Sequence, residues 1–207
     1  MFALKLLYQT HSPFARKVLV FAHEAGLAGG IEVVHHETSP TQRNEEVFAF
    51  NPLGKVPVLL RGDAPPLFDS DVICLYLDSL AARSLYPADP EARLAALRLQ
   101  ALAQGLAETG IAYRWETVRR PEDLRYPPLA DGHAAKLSAG YDWLERNGDF
   151  DRPLDIGHIA LATTLDWLCF RALPDFRSER PKLASWFASF LFRPSMKATP
   201  LAGETQD

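Results

Sequence analysis

The chain has 207 residues, of which 47% are hydrophobic, 11% aromatic and 23% charged, and its formal net charge is -4 at pH 7. This composition is typical of a globular protein with enough apolar residues for a core, which excludes a largely disordered chain. The negative charge gives no general attraction to nucleic acids or to anionic membranes, so we expect neither as a partner.

The cysteine content favours a reducing compartment. Cys74 and Cys169 are the only cysteines, and each lies among apolar neighbours, as buried thiols do. Two cysteines in a chain of this length do not make a disulfide framework. Residues 1–8 have too little apolar sequence for a signal peptide, and no window resembles a membrane span. We therefore expect a cytoplasmic protein.

The first part of the chain alternates strand and helix signals. An apolar run of strand length covers residues 3–8, and apolar residues then recur at helical spacing from Pro13 to Ala25. The following glycines end that helix. The remaining signals predict strands over 31–37, 56–60 and 67–68, a short helix over 43–50, and a longer helix that begins near Ser70.

Strand signals disappear after the turn sequence at 87–90. Strong helix formers predict a long helix over about 91–118, and three further helices are centred near residues 141, 163 and 187. The segment from Pro194 onward is predicted to be loosely ordered. The change of pattern predicts a first domain over 1–81, a linker over 82–90, and a helical domain over 91–207.

Ser12 and Pro13 lie where the first strand passes into the first helix. Serine is a preferred N-cap and proline suits the first helical position, so helix capping alone explains the pair. A helix N-terminus at the end of a strand is also a common place for an anionic ligand, because its amides and dipole are positive. Both interpretations stay open at this point.

Pro57 falls at the predicted start of the third strand, after Lys55 and Val56. Proline removes a backbone donor and is tolerated only at a strand entry or edge. A cis bond before Pro57 would turn the backbone of Val56 toward a ligand, whereas a plain loop-to-strand entry needs no such bond. The second interpretation is the simpler one for this motif alone.

Asp69 and Ser70 precede the third helix. Ser70 is predicted to cap that helix, with Asp71 favourable at its positive end. A binding role is the alternative, in which Ser70 holds a carboxylate and Asp69 receives an ammonium group.

The combination of three segments is more specific than any one of them. Ser-Pro-Phe-x-Arg-Lys at 12–17, Asn-Pro-Leu-Gly-Lys-Val-Pro-Val at 51–58 and Phe-Asp-Ser at 68–70 occur in order. The chain resembles the soluble glutathione S-transferase superfamily, and most of all its bacterial branch with serine before Pro-Phe. The resemblance covers nearly the whole chain, including 113–116 and 165–171. It implies a thioredoxin-like βαβαββα N-terminal domain followed by an all-helical C-terminal domain.

The resemblance also implies roles for individual residues. Ser12 corresponds to the catalytic residue that hydrogen-bonds the glutathione sulfur. Val56, ahead of a cis Pro57, corresponds to the position whose backbone pairs with the cysteinyl part of glutathione. Asp69 and Ser70 correspond to the pair that holds the γ-glutamyl group.

Four further roles are implied by the resemblance. Lys55 would meet the glycyl carboxylate, and Phe14 would form part of the pocket wall. A second substrate would lie between the domains near Tyr113 and Trp115. Glutathione would be the co-substrate with no metal, and the protein would be a homodimer.

The implied activity is transfer of glutathione to a small electrophile. Related proteins with cysteine at position 12 carry out thiol–disulfide chemistry, so Ser12 argues against a redox role. A glutathione-dependent isomerase, dehalogenase or ether-cleaving lyase is an alternative on the same site. A non-catalytic binding or interaction protein is an alternative of another class, because a fold does not determine a function.

Other polar residues have simpler interpretations. Arg114, Arg119, Arg120 and Arg125 are expected to form a solvated face, and the alternative is the lining of a pocket for an anionic substrate. His11 is expected to be an exposed loop residue.

Two patterns that contain histidine are interpreted as structural features. His35 and His36 point to opposite faces of a strand and are not expected to share a metal ion. Asp155 is expected to cap the helix that follows it, with His158 in place of the usual reciprocal carboxylate.

Overall fold

The computed structural model describes residues 4–204. Within that range no helix is both long and apolar enough to cross a membrane. Short 3-10 turns occur at Ala28–Gly30 and Glu122–Leu124. The main elements are, in chain order, β1 (Leu4–Tyr8), α1 (Pro13–Glu24), β2 (Ile31–His35), α2 (Glu45–Phe48), β3 (Val58–Arg61), β4 (Ala64–Leu67), α3 (Ser70–Leu80), α4 (Pro90–Arg114), a π-helical turn (Trp115–Arg119), α5 (Pro127–Asn147), α6 (Ile156–Phe170), α7 (Pro181–Phe190) and α8 (Pro194–Ala198).

The four strands form one mixed sheet in the order β2-β1-β3-β4. β1 pairs parallel with β2, because α1 carries the chain back between them, and antiparallel with β3. β3 and β4 form an antiparallel pair joined through Gly62, whose φ of 59° suits a tight turn. The predicted thioredoxin-like fold followed by helices is confirmed.

The sheet is covered by apolar side chains on both of its faces. On one side, Val47 of α2 packs with Leu7, Val56 and Val58, all of them buried. The helices α1 and α3 contribute a second set of fully buried side chains, among them Val18, Phe21, Ile73, Cys74 and Leu77. The ends of the central strands are therefore held in fixed positions, which matters for the site described below.

The described residues group into two compact units. One unit runs to Arg93 and takes up the chain again at Pro194, and the other comprises Leu94–Arg193. The sequence predicted a division after residue 81 with a helical domain from 91 to the C-terminus, and that division stays a prediction. α4 contributes residues to both units.

The segment from Pro194 onward was predicted to be loosely ordered, and for residues 194–204 this prediction is wrong. Pro194–Ala198 forms α8, with proline at the first helical position and Met196 buried. Residues 205–207, which the prediction also covered, lie outside the described residues. Arg16 of α1 donates to the Met196 carbonyl at 3.3 Å, and Ser195 donates to Glu24 at 2.5 Å. These partners lie about 180 positions away in the chain, so local sequence gave no sign of them.

In the helical unit, α4 and α6 run side by side in the same direction. A Cβ on Gly157 would lie 2.6 Å from the Ala96 carbonyl oxygen. Further along, Thr164 donates from Oγ1 to the Ala103 carbonyl at 3.2 Å. A Cβ on Gly110 would lie 2.7 Å from Leu168. Small residues thus bring the two helices close over most of their length, and their C-terminal ends lie next to each other.

The start of α6 confirms the predicted cap. The side chain of Asp155 accepts from the His158 amide at 3.1 Å, and the His158 Nδ1 lies 3.4 Å from the Asp155 amide. Burial alone would raise the pKa of Asp155, but its contacts with His158 and Arg152 lower it overall. His158 therefore takes the place of the usual glutamate in a capping box.

Candidate functional site

Ser12 lies at the N-terminus of α1 and is its N-cap, as predicted. Its Oγ accepts the Ala15 amide at 3.2 Å, and Pro13 occupies the first helical position. A hydroxyl has one donor and two acceptor positions, so capping leaves its hydrogen to be donated. Ser12 is 8% exposed, which places this donor in a largely dry position at the positive end of a helix.

The loop before β3 contains the predicted cis bond, between Val56 and Pro57. Val56 lies two residues before Val58, the first residue of β3 that pairs with β1. Asn51, which is 3% exposed, donates to the Lys55 carbonyl at 2.8 Å and accepts the Leu53 amide at 3.0 Å. Asn51 therefore holds the turn together through hydrogen bonds to the backbone. This role was not predicted, although asparagine in a turn sequence commonly makes such bonds.

The start of α3 differs from the prediction in one respect. Asp69, and not Ser70, is the N-cap, and its side chain accepts the Asp71 amide at 3.0 Å. Ser70 is the first residue of the helix and is 1% exposed. Aspartate and serine cap equally well, so the local sequence could not decide between adjacent positions.

The topology brings these three segments to one edge of the sheet. Leu7 at the end of β1 pairs with Val58 at the start of β3, so the Ser12 loop and the Pro57 loop leave the sheet side by side. α1 and α3 are joined by an ion pair between Lys17 and Asp71. A hydroxyl, the backbone of a strand entry and a helix start thereby lie at the same edge.

The Lys17–Asp71 pair is asymmetric in burial. The Lys17 side chain is 4% exposed, whereas that of Asp71 is 38% exposed. An unpaired ammonium group in a buried position is costly, while a carboxylate with access to water can be hydrated. The two partners are therefore not equivalent for stability.

We expect Asp71→Asn to lower the free energy of unfolding by about 2 kcal/mol, since it leaves the buried Lys17 ammonium without its partner. Lys17→Met should cost less, because it removes the buried charge itself. The double variant should recover most of the loss of Asp71→Asn. Urea unfolding of the three variants measures these differences, and a larger loss for Lys17→Met than for Asp71→Asn would contradict the asymmetry.

A polar network between the ends of β1 and β2 was also missed. Gln9, 5% exposed, donates to Glu37 at 2.8 Å and to the Thr38 carbonyl at 3.1 Å. Burial would raise the pKa of Glu37, but its hydrogen bonds from Gln9 and His35 lower it overall. This network holds the two strand ends together beside the Ser12 loop.

His11 was predicted to be exposed, and this prediction is wrong. It is 5% exposed, and its Nε2 lies 3.7 Å from a carboxylate oxygen of Glu37. The chain after α8 passes over the same loop, where the Ala202 amide donates to the Thr10 carbonyl at 3.2 Å. His11 is covered by residues distant in sequence, which local patterns do not reveal.

The remaining predicted site residues lie as follows. Phe14 is half-buried in the first turn of α1, and Lys55 is exposed. Tyr113 and Trp115 belong to the helical unit, at the end of α4 and the start of the π-helical turn, and both are half-buried. Their assigned roles remain predictions. Within residues 4–204 no three His, Cys, Asp or Glu side chains are grouped to hold a metal ion.

Neither cysteine offers a reactive thiolate. Burial raises the pKa of Cys74 to about 12 and that of Cys169 to about 11. Both are free thiols. They stay protonated at neutral pH and cannot act as nucleophiles.

These features define a thioredoxin-like unit with a cis-proline loop beside a serine-capped helix, together with a helical unit. Residues 11–80 match the family described as glutathione S-transferase, N-terminal domain. A glutathione transferase family member from Pseudomonas fluorescens Pf-5, solved with bound glutathione, is 33% identical, with a TM-score of 0.92, over 97% of this chain and 100% of that one.

Two further relatives agree with this match. A glutathione S-transferase from Methylobacillus flagellatus KT, solved with glutathione bound, is 32% identical, with a TM-score of 0.83, over 96% of this chain and 100% of that one. The curated protein "Uncharacterized GST-like protein YibF" from Escherichia coli K12 is 29% identical over 95% of this chain and 98% of its own length. The chain belongs to the soluble glutathione S-transferase superfamily.

Proposed function

We propose that this protein binds glutathione and transfers it to a small electrophile. The observation that carries the proposal is the Ser12 hydroxyl, which caps α1 through its oxygen and keeps its hydrogen for donation beside the cis Pro57 loop. The bound glutathione in the Pseudomonas fluorescens and Methylobacillus flagellatus relatives supports it. The cytoplasmic location, predicted from the sequence, and the homodimer, predicted from the resemblance, remain predictions.

The proposed role of the protein is to stabilise a thiolate. A free thiol has a pKa of about 8.5, so only a few per cent is ionised at neutral pH. Lowering that pKa by about two units requires roughly 2.7 kcal/mol of preferential interaction with the anion. A hydrogen bond from Ser12 to charged sulfur would contribute about 1.5–3 kcal/mol. The N-terminus of α1 would add about 0.3–1 kcal/mol. The two contributions together are sufficient.

Other residues of the same edge would hold the tripeptide. The Val56 backbone would pair with the cysteinyl part of glutathione. Ser70 would donate to the γ-glutamyl carboxylate, while the exposed Asp69 would receive its ammonium group. A hydroxyl donor at Ser70 and a carboxylate at Asp69 would favour one orientation of the γ-glutamyl group, and so of the peptide, with its sulfur toward Ser12.

The proposed reaction is a direct displacement or addition. The glutathione sulfur uses its electron pair to form a bond to an electrophilic carbon. In a displacement, the bond from that carbon to the leaving group breaks, and the leaving group departs with its electron pair. In an addition, the π bond at that carbon opens, and its electron pair takes up a proton from water. No covalent enzyme intermediate is required, because the nucleophile belongs to the co-substrate.

Calorimetric titration with glutathione, followed by turnover of a generic chloroarene, tests the proposal. We expect saturable binding and an enzyme-dependent release of chloride. Ophthalmic acid, in which a methyl group replaces the thiol of glutathione, is the matched ligand control and should bind without reacting. Absence of any affinity for glutathione would refute the proposal, and binding without turnover of any electrophile would reduce it to a glutathione-binding protein.

A further inference from the structure

The turn that leads into α1 is held by the strand ends. It comprises residues 9–12, and the Ser12 amide closes it by donating to the Gln9 carbonyl at 3.0 Å. The Gln9 side chain is buried and donates to Glu37 and to the Thr38 carbonyl. The start of the turn is therefore fixed to the segment that follows β2. Its central residues are held by another part of the chain.

The chain after α8 lies over the central residues of this turn. We call residues 199–204 the C-terminal strap. The Ala202 amide donates to the Thr10 carbonyl at 3.2 Å. A Cβ on Gly203 would lie 3.4 Å from Thr10 Oγ1 and 3.4 Å from His11 Nδ1, so the strap backbone runs close to both side chains. Both central residues of the turn thereby lie next to the strap.

The strap starts from a fixed point, because α8 is anchored on α1. Arg16 donates to the Met196 carbonyl at 3.3 Å, and Ser195 donates to the last residue of α1 at 2.5 Å. Thr199 is 4% exposed and donates from Oγ1 to the Ser195 carbonyl at 2.9 Å. The strap is thus tied both to the body of α1 and to the turn before it, and all of these residues belong to one compact unit.

Gly203 has a backbone conformation that other residues resist. Its φ is 92°, in a region where a residue with a side chain is strained. The path of the strap beside Thr10 and His11 therefore depends on glycine at this position. A substitution there should disturb the Ala202 contact next to it without changing the sequence of the turn itself.

Ser12 needs a fixed position for its proposed role. Its Oγ accepts the Ala15 amide at 3.2 Å, so the direction of its O–H group follows from the orientation of the turn and of the first helical residues. Hydrogen bonds weaken steeply when donor and acceptor are misaligned, and a functional group must be held to within about 0.5 Å. Groups on loops are placed less precisely than groups on helices or strands. Two attachments, one from Gln9 and one from Ala202, restrict this turn.

Anchoring of the chain end is the simpler interpretation of the strap. Chain termini are poorly ordered unless something ties them down, and a bond to any part of the unit would serve that purpose. The Ala202 amide bonds instead to Thr10, two residues before the Ser12 hydroxyl. A positioning role requires this location, and the ionisation of the bound ligand distinguishes the two interpretations.

We propose that the C-terminal strap positions Ser12, through the bond from the Ala202 amide to the turn 9–12. Ser12 is the residue that donates to the glutathione sulfur, and Ala202 and Gly203 act only through it. The inference rests on the proposed function for the identity of that acceptor, whereas the restraint on the turn is a property of the free protein.

Removal of the Ala202 N–H tests the inference on the whole chain. Ala202→Pro removes it by substitution, and lactic acid in place of Ala202 exchanges it for oxygen without adding a ring. For both proteins we expect the pKa of the bound glutathione thiol to rise by about 0.5–1 unit, since a less restrained Ser12 donates a weaker hydrogen bond. Ala202→Ser keeps the N–H and should keep the wild-type pKa. The ultraviolet absorbance of the bound thiolate, followed against pH, measures all three.

A second background shows whether the effect passes through the Ser12 hydroxyl. Ser12→Gly keeps most of the capping and has no hydroxyl. In that background Ala202→Pro should change the thiol pKa by less than about 0.3 unit. A pKa rise of equal size in the two backgrounds overturns the inference. So does a thiol pKa that neither Ala202→Pro nor lactic acid changes in the wild-type background, because the strap would then only stabilise the fold.

Two glycines with positive φ provide a matched pair of substitutions. Gly203→Ala strains the strap, and Gly62→Ala strains the turn between β3 and β4, where φ is 59° and a Cβ would meet no described atom within 4 Å. Both should lower the midpoint of urea unfolding. Only Gly203→Ala should raise the pKa of the bound thiol. Equal thiol pKa values in the two variants contradict the positioning role.

The free protein decides the inference if no glutathione binds, a result that by itself would refute the proposed function. The exchange rate of the Ser12 amide hydrogen, followed by NMR, reports how often the turn opens. We expect exchange about 10-fold faster with Ala202→Pro and with lactic acid than with Ala202→Ser, while the amide of the buried Leu6 in β1 keeps its rate. Equal Ser12 exchange rates in these proteins overturn the inference.

Discussion

Ser12→Ala is expected to raise the pKa of the bound glutathione thiol by about 1–2 units, since it removes a hydrogen bond to the thiolate of about 1.5–3 kcal/mol. At neutral pH the rate of glutathione transfer should fall by about 10-fold or more, because fewer bound molecules are ionised. The ultraviolet absorbance of the bound thiolate, followed against pH, measures the first effect. Turnover of a chloroarene measures the second.

Ser12 also caps α1, so its replacement has a structural consequence as well. Loss of the bond between Ser12 Oγ and the Ala15 amide should cost about 0.5–2 kcal/mol of stability. Ser12→Thr is the matched control, since it keeps both a hydroxyl and a capping oxygen. Ser12→Gly caps nearly as well as serine but has no hydroxyl, and it should raise the thiol pKa as alanine does.

The thiolate titration separates the two roles. If both Ser12→Ala and Ser12→Gly leave the titration of bound glutathione unchanged, Ser12 has no part in stabilising the anion. The helix N-terminus would then be the remaining candidate on this edge. A large loss of affinity for glutathione with no change in the pKa of its bound thiol would show instead that Ser12 binds the form with a protonated thiol.

The local sequence predicted a structural feature correctly where adjacent residues alone determine it. The Ser12–Pro13 cap follows from the intrinsic preferences of two adjacent residues, and the structure has it. The cis bond before Pro57 is a different case, since proline only permits it. It was expected because the surrounding motif resembles the family, and the structure contains it.

Local sequence failed where distant segments decide the environment. His11 looks like a polar loop residue, yet the chain near Gly203 covers it. The same chain segment was expected to be loosely ordered. Its polar residues do not indicate that Arg16 of α1 donates a hydrogen bond to the Met196 carbonyl. In both places a side chain is buried by residues that are far away in the sequence. The local periodicity of apolar residues does not report such contacts.

The basic run at 114–125 shows a third kind of difference. A count of charges gave one group of four arginines, whereas three of them have different partners in the structure. Arg119 stacks on Trp115, Arg120 pairs with Glu116, and Arg125 donates to backbone carbonyls. The helix formers of α4 continue past Arg114, so a regular helix to Val118 was the natural prediction. The π-helical turn instead rotates Arg119 onto Trp115. The spacing of residues in a helical sequence does not show whether its last turn contains one extra residue.

The close packing of α4 on α6 gives a large expected effect on stability. Gly157→Ala should lower the free energy of unfolding by about 2 kcal/mol, because the added carbon would overlap with closely packed atoms that must shift to make room. That carbon would lie 2.6 Å from the Ala96 carbonyl oxygen and 2.9 Å from the Leu99 Cβ. A backbone oxygen cannot move aside as a side chain can, so the clash must shift one helix against the other.

A second glycine on α4 isolates this clash. A Cβ on Gly105 would meet nothing within 4 Å, so Gly105→Ala removes only the conformational freedom of glycine. It should stabilise the protein by about 0.5–1 kcal/mol. Gly110→Ala should fall between the two, since its nearest contact, at 2.7 Å, is the flexible end of Leu168. All three variants change the unfolded chain in the same way, so urea unfolding compares the folded contacts directly. If Gly157→Ala proves as stable as Gly105→Ala, the close approach at Ala96 does not exist. The parallel packing of α4 on α6 would then lose one of its contact points.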